Sequence, residues 1–358
     1  MTTVALFRGN DRYRNVTQAL TAIEHDVDWA NKQRILVKPN FTSTVIPLAV
    51  THVDAVRAVL DFLQPRTAGH VVIGEGAGLR DTWEGYRNYG YLPLRDQYGV
   101  DLVDLNRDEW VTTTVYDKRL RPLPLRVART VVDSDLRISI GPPKTHDTIV
   151  VTLALKNLVM GALIRDEKGP GGPDAPAAHG GRTRSVGSTL QTIAHLVPQR
   201  VKALPLLLWL KERIVRQILH SDKMLMHQSI PVINLNLFEL ARFIPPHLAV
   251  LDGFRAMEGD GPNLGTPVDW RVAIASADWL AADTVAAHLM GVEIDKVGYL
   301  DYCRRARLGV GNLDRIDVVG NDSLAECRRV FQPSPTVEKQ RAWQDPRIDA
   351  IIAQLAGG

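Results

Sequence analysis

Eight short apolar runs constrain this chain most: VALFRG from residue 4, RILVKPN from 34, HVVIGEG from 70, DLVDL from 101, LRISIGPP from 136, LAVLDGF from 248, RVAIAS from 271 and RIDVVG from 315. Most are continuous rather than alternating, the mark of strands covered on both faces. Helical patterns lie between them. THVDAVRAVLDFL opens with Thr51 as a cap and repeats apolar residues every three or four positions. DWLAADTVAAHLMG opens on Asp278 as a cap and closes at Gly291. This order predicts an α/β fold, a largely parallel sheet flanked by helices, in one domain or two intimate lobes.

The expected organisation is one domain over 1–330 and a peripheral tail over 331–358. A Gly/Pro-rich insertion at 165–188 interrupts the domain and reads as a lid or a disordered segment. After it, residues 204–220 read as a basic amphipathic helix, packed on the domain or lying on a membrane surface. The longest wholly apolar run outside 148–161, ALPLLLWL at 203–210, is too short to span a bilayer. The N-terminus carries no evident leader, so the expected compartment is the cytoplasm.

Charge and cysteine content remove several classes. With 43 basic against 40 acidic residues the net charge is +3, too balanced for a nucleic-acid binder. The two cysteines, Cys303 and Cys327, cannot hold an iron–sulfur cluster or a disulfide framework. The expected partner is a small-molecule substrate, and a homo-oligomer is compatible with this composition.

The stretch GPPKTHDTIVVTLALKNLVMG at 141–161 is the anomaly. It is almost wholly apolar from Thr148 onward, yet it carries Lys156 and Asn157, with Lys144 and His146 just before. A buried lysine must be paired, lose its proton or face a water-filled pocket. The β-branched run TIVV disfavours early helix, so a start near Leu153 would put Lys156 and Asn157 in the first turn. A start at Thr148 also lets Lys156 lean back toward His146.

Other strand ends carry polar groups where ligand sites of parallel sheets form: Lys38 and Asn40, Glu75, and Asp252 with Glu258 and Asp260. Asp283 falls on the apolar stripe of its helix and should face inward, against Lys156, Lys38 or a metal shared with Asp252. Asp252, Glu258, Asp260 and Asp283 are the candidate ligands of a divalent metal of unspecified identity. GEGAG at 74–78 lacks the glycine spacing of a dinucleotide fingerprint. Lys223 and His227, four apart in SDKMLMHQS, could share a helix face, His227 as base, metal ligand or structural residue.

The segments ILVKPN, GEGAG, KTHDTIVVTLALKNLVMG, DKMLMHQ, LAVLDGFRAMEGDGPNLG and IASADWLAADTVAAHLMG occur in that order. Together they resemble domain-of-unknown-function family 362 over roughly residues 30–320. Some members of that family carry a ferredoxin-like cluster domain, which the two cysteines here cannot supply. A more distant similarity is to the N-terminal domain of nickel-pincer lactate racemase. It implies Lys156 as a covalent cofactor attachment point and His146 as the turn histidine, with LALK here in place of that family's GGxK.

The favoured expectation is an enzyme for a small carboxylate- or phosphate-bearing anion. Lys156, His146, Lys144 and His227 would be catalytic, and Lys38, Asn40, Glu75, Asn157 and Lys223 would bind substrate. Proton transfer of the isomerase or lyase type comes first, metal-assisted oxidation second. A non-catalytic cofactor or metal carrier and a membrane-surface protein are the alternatives.

Overall fold

The computed structural model describes residues 1–29, 31–165 and 221–356. The insertion expected from 165 and the helix pattern of 204–220 lie outside them, apart from Arg165.

Twelve strands are present among the described residues. They are β1 (Thr2–Arg8), β2 (Arg34–Lys38), β3 (His70–Glu75), β4 (Asp101–Asp104), β5 (Trp110–Tyr116) and β6 (Pro122–Ala128), then β7 (Leu136–Gly141), β8 (Lys144–His146), β9 (Val150–Thr152), β10 (Leu248–Glu258), β11 (Thr266–Ser276) and β12 (Ile316–Gly320). The main sheet runs β12-β1-β11-β10-β7-β2-β3-β4. Along this path every pairing is parallel except the two made by β11. β8 pairs parallel with β10 and antiparallel with β9.

All eight apolar runs are strands of this sheet. β5 and β6, not expected, form a separate antiparallel pair. Pro122 and Pro124 hide β6, because proline is tolerated only where the ladder needs no donor.

Helices cover both faces. α1 (Arg12–Ala22) and α2 (Val53–Leu63) pack on one side with Phe41, Tyr86 and Tyr91. The cap of α2 is His52, whose ring accepts from the Asp54 amide, rather than Thr51. In chain order, α3 (Thr82–Asn88), α4 (Leu94–Tyr98) and α5 (Arg129–Val132) are short connectors. The other face is covered by α6 (Ala154–Gly161) and the helices Ile230–Phe243, Trp279–Leu289 and Gly298–Arg305. Asp278 caps Trp279–Leu289 as expected, accepting from the Leu280 and Ala281 amides, and Gly291 ends it with φ +78.

The segment after 330 is not peripheral. Phe331, Trp343, Ile348 and Ile352 are buried in the same core as α6. Trp343 meets Tyr302 edge-on at 5.1 Å, and Asp349 pairs with Arg305 at 2.6 Å. Apolar side chains spaced along an irregular segment leave no periodic signal, which is why the tail read as an appendage.

The strand order places a crevice. From β2 the chain builds outward through β3 and β4, then returns to set β7 on the other side of β2. The order reverses between β2 and β7, and ligands of open parallel sheets bind at the carboxyl ends of strands at such a reversal.

Candidate functional site

α6 begins at Ala154, with Leu153 in the capping position but offering no side-chain oxygen. Asp283 substitutes for it. Its carboxylate accepts from the Ala154 amide at 2.8 Å and the Leu155 amide at 3.1 Å. Burial pushes this carboxyl up to about 7, against the two amides that hold it down. Asp283 therefore faces inward as expected, but its partner is a helix N-terminus rather than Lys156, Lys38 or a metal. Asp283→Ala should cost about 1–2 kcal/mol in a urea titration, the usual worth of a helix cap. Asp283→Asn, which keeps one acceptor, should lose less.

From this anchored turn Asn157 enters the crevice between β2 and β7. Its amide donates to Ser139 Oγ (3.0 Å) and to the carbonyls of Ile140 (3.2 Å) and Lys38 (3.3 Å). Its oxygen accepts from Lys38 Nζ (3.0 Å) and Asn40 Nδ2 (2.8 Å). One side chain thus ties both strand ends together.

Three of the four buried lysines here are fully engaged; an ammonium has three protons to give. Lys38 donates to Glu75 Oε2 (2.8 Å), Pro39 O (2.7 Å) and Asn157 Oδ1. Lys144 donates to Asn40 Oδ1 (2.8 Å), Thr42 Oγ1 (2.9 Å) and Ala49 O (3.0 Å). Lys223 donates to Asn106 Oδ1 (2.8 Å), Gly76 O (3.0 Å) and Leu163 O (3.0 Å). Glu75 is filled too, accepting from Lys38, from the Phe41 amide at 3.0 Å and from the Gly76 amide at 2.8 Å. Lys38, Asn40, Glu75, Asn157, Lys144 and Lys223 therefore brace one another and the backbone around them through these bonds.

Gly161 makes the lattice fit. A Cβ there would overlap Lys38 Cε and Nζ and come within 2.7 Å of Glu75 Oε1. Gly161→Ala should destabilise by about 1–3 kcal/mol by overpacking, read as a lower denaturation midpoint.

Lys156 is the exception. It is 6% exposed, yet no described residue hydrogen-bonds or ion-pairs with its ammonium. Burial lowers its pKa to about 8; the Asp147 carboxylate opposes the shift and Lys38 adds to it. His146 stands close enough that the Lys156 charge, after burial, contributes to holding its pKa well below the ordinary value, and His227 and Lys144 act in the same direction. Lys156 and His227 thus both lie near enough to His146 to act on its ring, with Asp147 beside it.

Hydrogen bonds assign the two rings opposite roles. His146 Nδ1 accepts from the Thr148 amide at 3.0 Å, so its proton sits on Nε2. The Asp147 carboxylate lies 3.3 Å from the same nitrogen and would favour imidazolium. The amide already occupies that lone pair and burial disfavours charge, so the ring is neutral. His227 Nδ1 faces the Lys223 carbonyl at 2.9 Å. A carbonyl only accepts, so Nδ1 carries the proton and Nε2 is the basic nitrogen. One ring is built to donate and the other to accept.

The expected metal set does not assemble. Asp252 is paired with Arg12 at 3.0 Å, Glu258 accepts from the Gln332 amide at 3.0 Å, Asp260 is buried in the β10–β11 connection, and Asp283 caps α6. Among the described residues no group of three or more His, Cys, Asp or Glu could hold a metal ion. Likewise, among the described residues no helix is long and apolar enough to cross a membrane. A cavity of about 280 Å³, lined by Arg34, His70, Asp108 and Arg129 among others, lies at the opposite, amino ends of β2 and β3.

Sequence reasoning missed Asp147, Thr152, Thr336 and Gln340. Thr152 lies opposite Lys144 in the β8–β9 register, and its buried hydroxyl has no partner. Asp147, inside KTHD, was the one with a local signal.

A family model described as "Domain of unknown function (DUF362)" matches residues 35–288. The chain is 23% identical over 279 residues to "Thylakoid-associated protein sll1697" of Synechocystis sp., covering 77% of this chain and 68% of that protein. It is similar to the lactate racemase apoprotein of Thermoanaerobacterium thermosaccharolyticum with a TM-score of 0.40 and 11% identity. That match covers 80% of this chain and 57% of the solved one.

Proposed function

The chain belongs to the DUF362 family, and on that premise we propose that it binds a small carboxylate-bearing anion and moves a proton at the carbon beside the carboxylate. One observation carries the reading: three buried lysines each have their three protons bonded, while the fourth, Lys156, has no described partner and lies near His146, whose ring His227 also influences. An ammonium held without a partner in a buried site is stabilised when an anion arrives. Lys156 would hold the carboxylate and offset the negative charge that grows on it as the neighbouring proton leaves. His227 Nε2 would take the proton and return it, and the neutral His146 would donate a hydrogen bond from Nε2–H to the substrate oxygen on which negative charge grows.

The test is solvent exchange. Small carboxylates incubated with the protein in D2O should gain deuterium at the adjacent carbon, read by proton NMR, and His227→Gln should slow exchange by about 10²–10⁴-fold. Binding of phosphate esters with no carboxylate bound and no exchange would replace this substrate class.

The same unpartnered amine supports a second reading, a covalent adduct on Lys156. Its lowered pKa leaves part of it as the nucleophilic neutral amine near pH 8. Intact mass would exceed the sequence mass, and the excess would vanish in Lys156→Ala.

A further inference from the structure

We propose that Gln340 is a positioning residue for His146, so that a C-terminal segment outside the family-matched stretch completes the site. The inference deepens the proposed function and rests on it only for the exchange measurement below.

His146 lies at the end of β8, opposite Val150 of β9. Val150 has φ +67, a left-handed conformation that a β-branched residue adopts only under constraint. The turn is pinched further by the Val151 amide, which reaches the Ile149 carbonyl at 2.8 Å. Such strain persists only where surrounding contacts over-determine it, and it clusters at functional sites.

Gln340 provides those contacts. Its Oε1 accepts from the Val150 amide, and its Nε2 donates to the His146 carbonyl at 2.8 Å. One side-chain amide therefore satisfies both register partners, His146 and Val150, from the outside. Gln340 is 1% exposed and also donates to Thr336 Oγ1 at 2.8 Å. Thr336 in turn donates to the Asp147 carbonyl at 2.8 Å. The whole turn from His146 to Val150 is thus held by the 334–340 segment.

That segment is itself pinned on both sides. Phe331 packs on Trp270 at 4.9 Å, and Trp343 packs on Tyr302. The Thr148 amide that sets the His146 tautomer belongs to the clamped turn. Without Gln340, Val150 can relax to negative φ, the Thr148 amide can leave Nδ1, and the ring loses its fixed tautomer.

The test uses the full chain with ¹⁵N-labelled histidine. In the unsubstituted protein the His146 signals should report an unprotonated Nδ1 and a protonated Nε2. Gln340→Ala should give averaged signals of a ring exchanging between tautomers, with no ligand present. Carboxylate binding should persist while proton exchange falls by about 100-fold, since misplacing a catalytic group by about 1 Å has that effect. Gln340→Glu, which keeps the acceptor for Val150 but loses the donor to His146, should be intermediate.

Unchanged His146 signals in folded Gln340→Ala would overturn the proposal, even with a lower midpoint. If that variant does not fold, Thr336→Val reads the same signals through the Asp147 contact, and unchanged signals there overturn it equally. A protein that exchanges no carboxylate proton but whose His146 tautomer depends on Gln340 would retain this inference and lose the functional reading.

Discussion

Glu75→Ala should destabilise the protein by about 3–5 kcal/mol, the penalty for stranding one member of a buried ion pair. Lys38 is 1% exposed and Glu75 2%, at 2.8 Å. Removing the carboxylate leaves an ammonium that burial already pushes toward neutrality. It also orphans the Phe41 and Gly76 amides that Glu75 accepts. The loss should appear as a lower midpoint in guanidinium titration. Replacing both partners by apolar residues, Lys38→Met with Glu75→Leu, should recover part of it, because a well-packed apolar pair carries no desolvation penalty. A loss below about 1 kcal/mol for Glu75→Ala would mean that this pair does not hold the crevice together.

Lys156→Met should do the opposite for stability and remove anion binding. The Lys156 pKa falls from 10.5 to about 8 on folding, so holding the charge at neutral pH costs about 3 kcal/mol at 1.36 kcal/mol per unit. Methionine fills a similar volume without that cost, so the variant should gain up to this amount at pH 7. The pH dependence follows. Between about 8 and 10.5 the unfolded chain binds more protons at this lysine than the folded one. Stability from this group therefore rises with pH across that window and is lowest below it. Lys223, lowered to about 7, adds a parallel rise over a window opening near 7. Denaturation midpoints between pH 7 and 10 should climb in the unsubstituted protein and climb less in Lys156→Met. A Lys156→Met protein that is less stable at pH 7 and still binds carboxylates would sink the functional reading.

This pairing of effects separates two kinds of polar burial. Lys38, Lys144 and Lys223 look like a cationic pocket when only residue types are counted. Their bonds show them to be internal braces, which tie the ends of β2 and β3 to the loops above them. Of these four buried lysines, Lys156 alone keeps its donors unspent among the described residues.

Local pattern made much of this legible. Continuous apolar runs marked the strands of the main sheet, and the Asp278 cap and Gly291 stop marked one helix to the residue. The β-branched TIVV run, too stiff for early helix, pointed to a start near Leu153 beside the alternative at Thr148, and the structure has the first of these, with Lys156 in the first turn. Periodicity also placed Asp283 inside, because facing inward is a property of one element.

Partner identity is not such a property. Asp283 meets the amides of α6 across 129 positions of sequence, and Gln340 meets His146 across 194. Three of the four carboxylates expected at one metal, Asp252, Asp283 and Glu258, are drawn instead to a guanidinium, a helix terminus and a backbone amide. The sequence by itself determined which groups are buried, since burial follows from apolar neighbours three, four or two residues away. Only the tertiary structure decided which buried group is left unpaired, because a hydrogen bond is short and directional and its donor and acceptor meet only when distant segments pack.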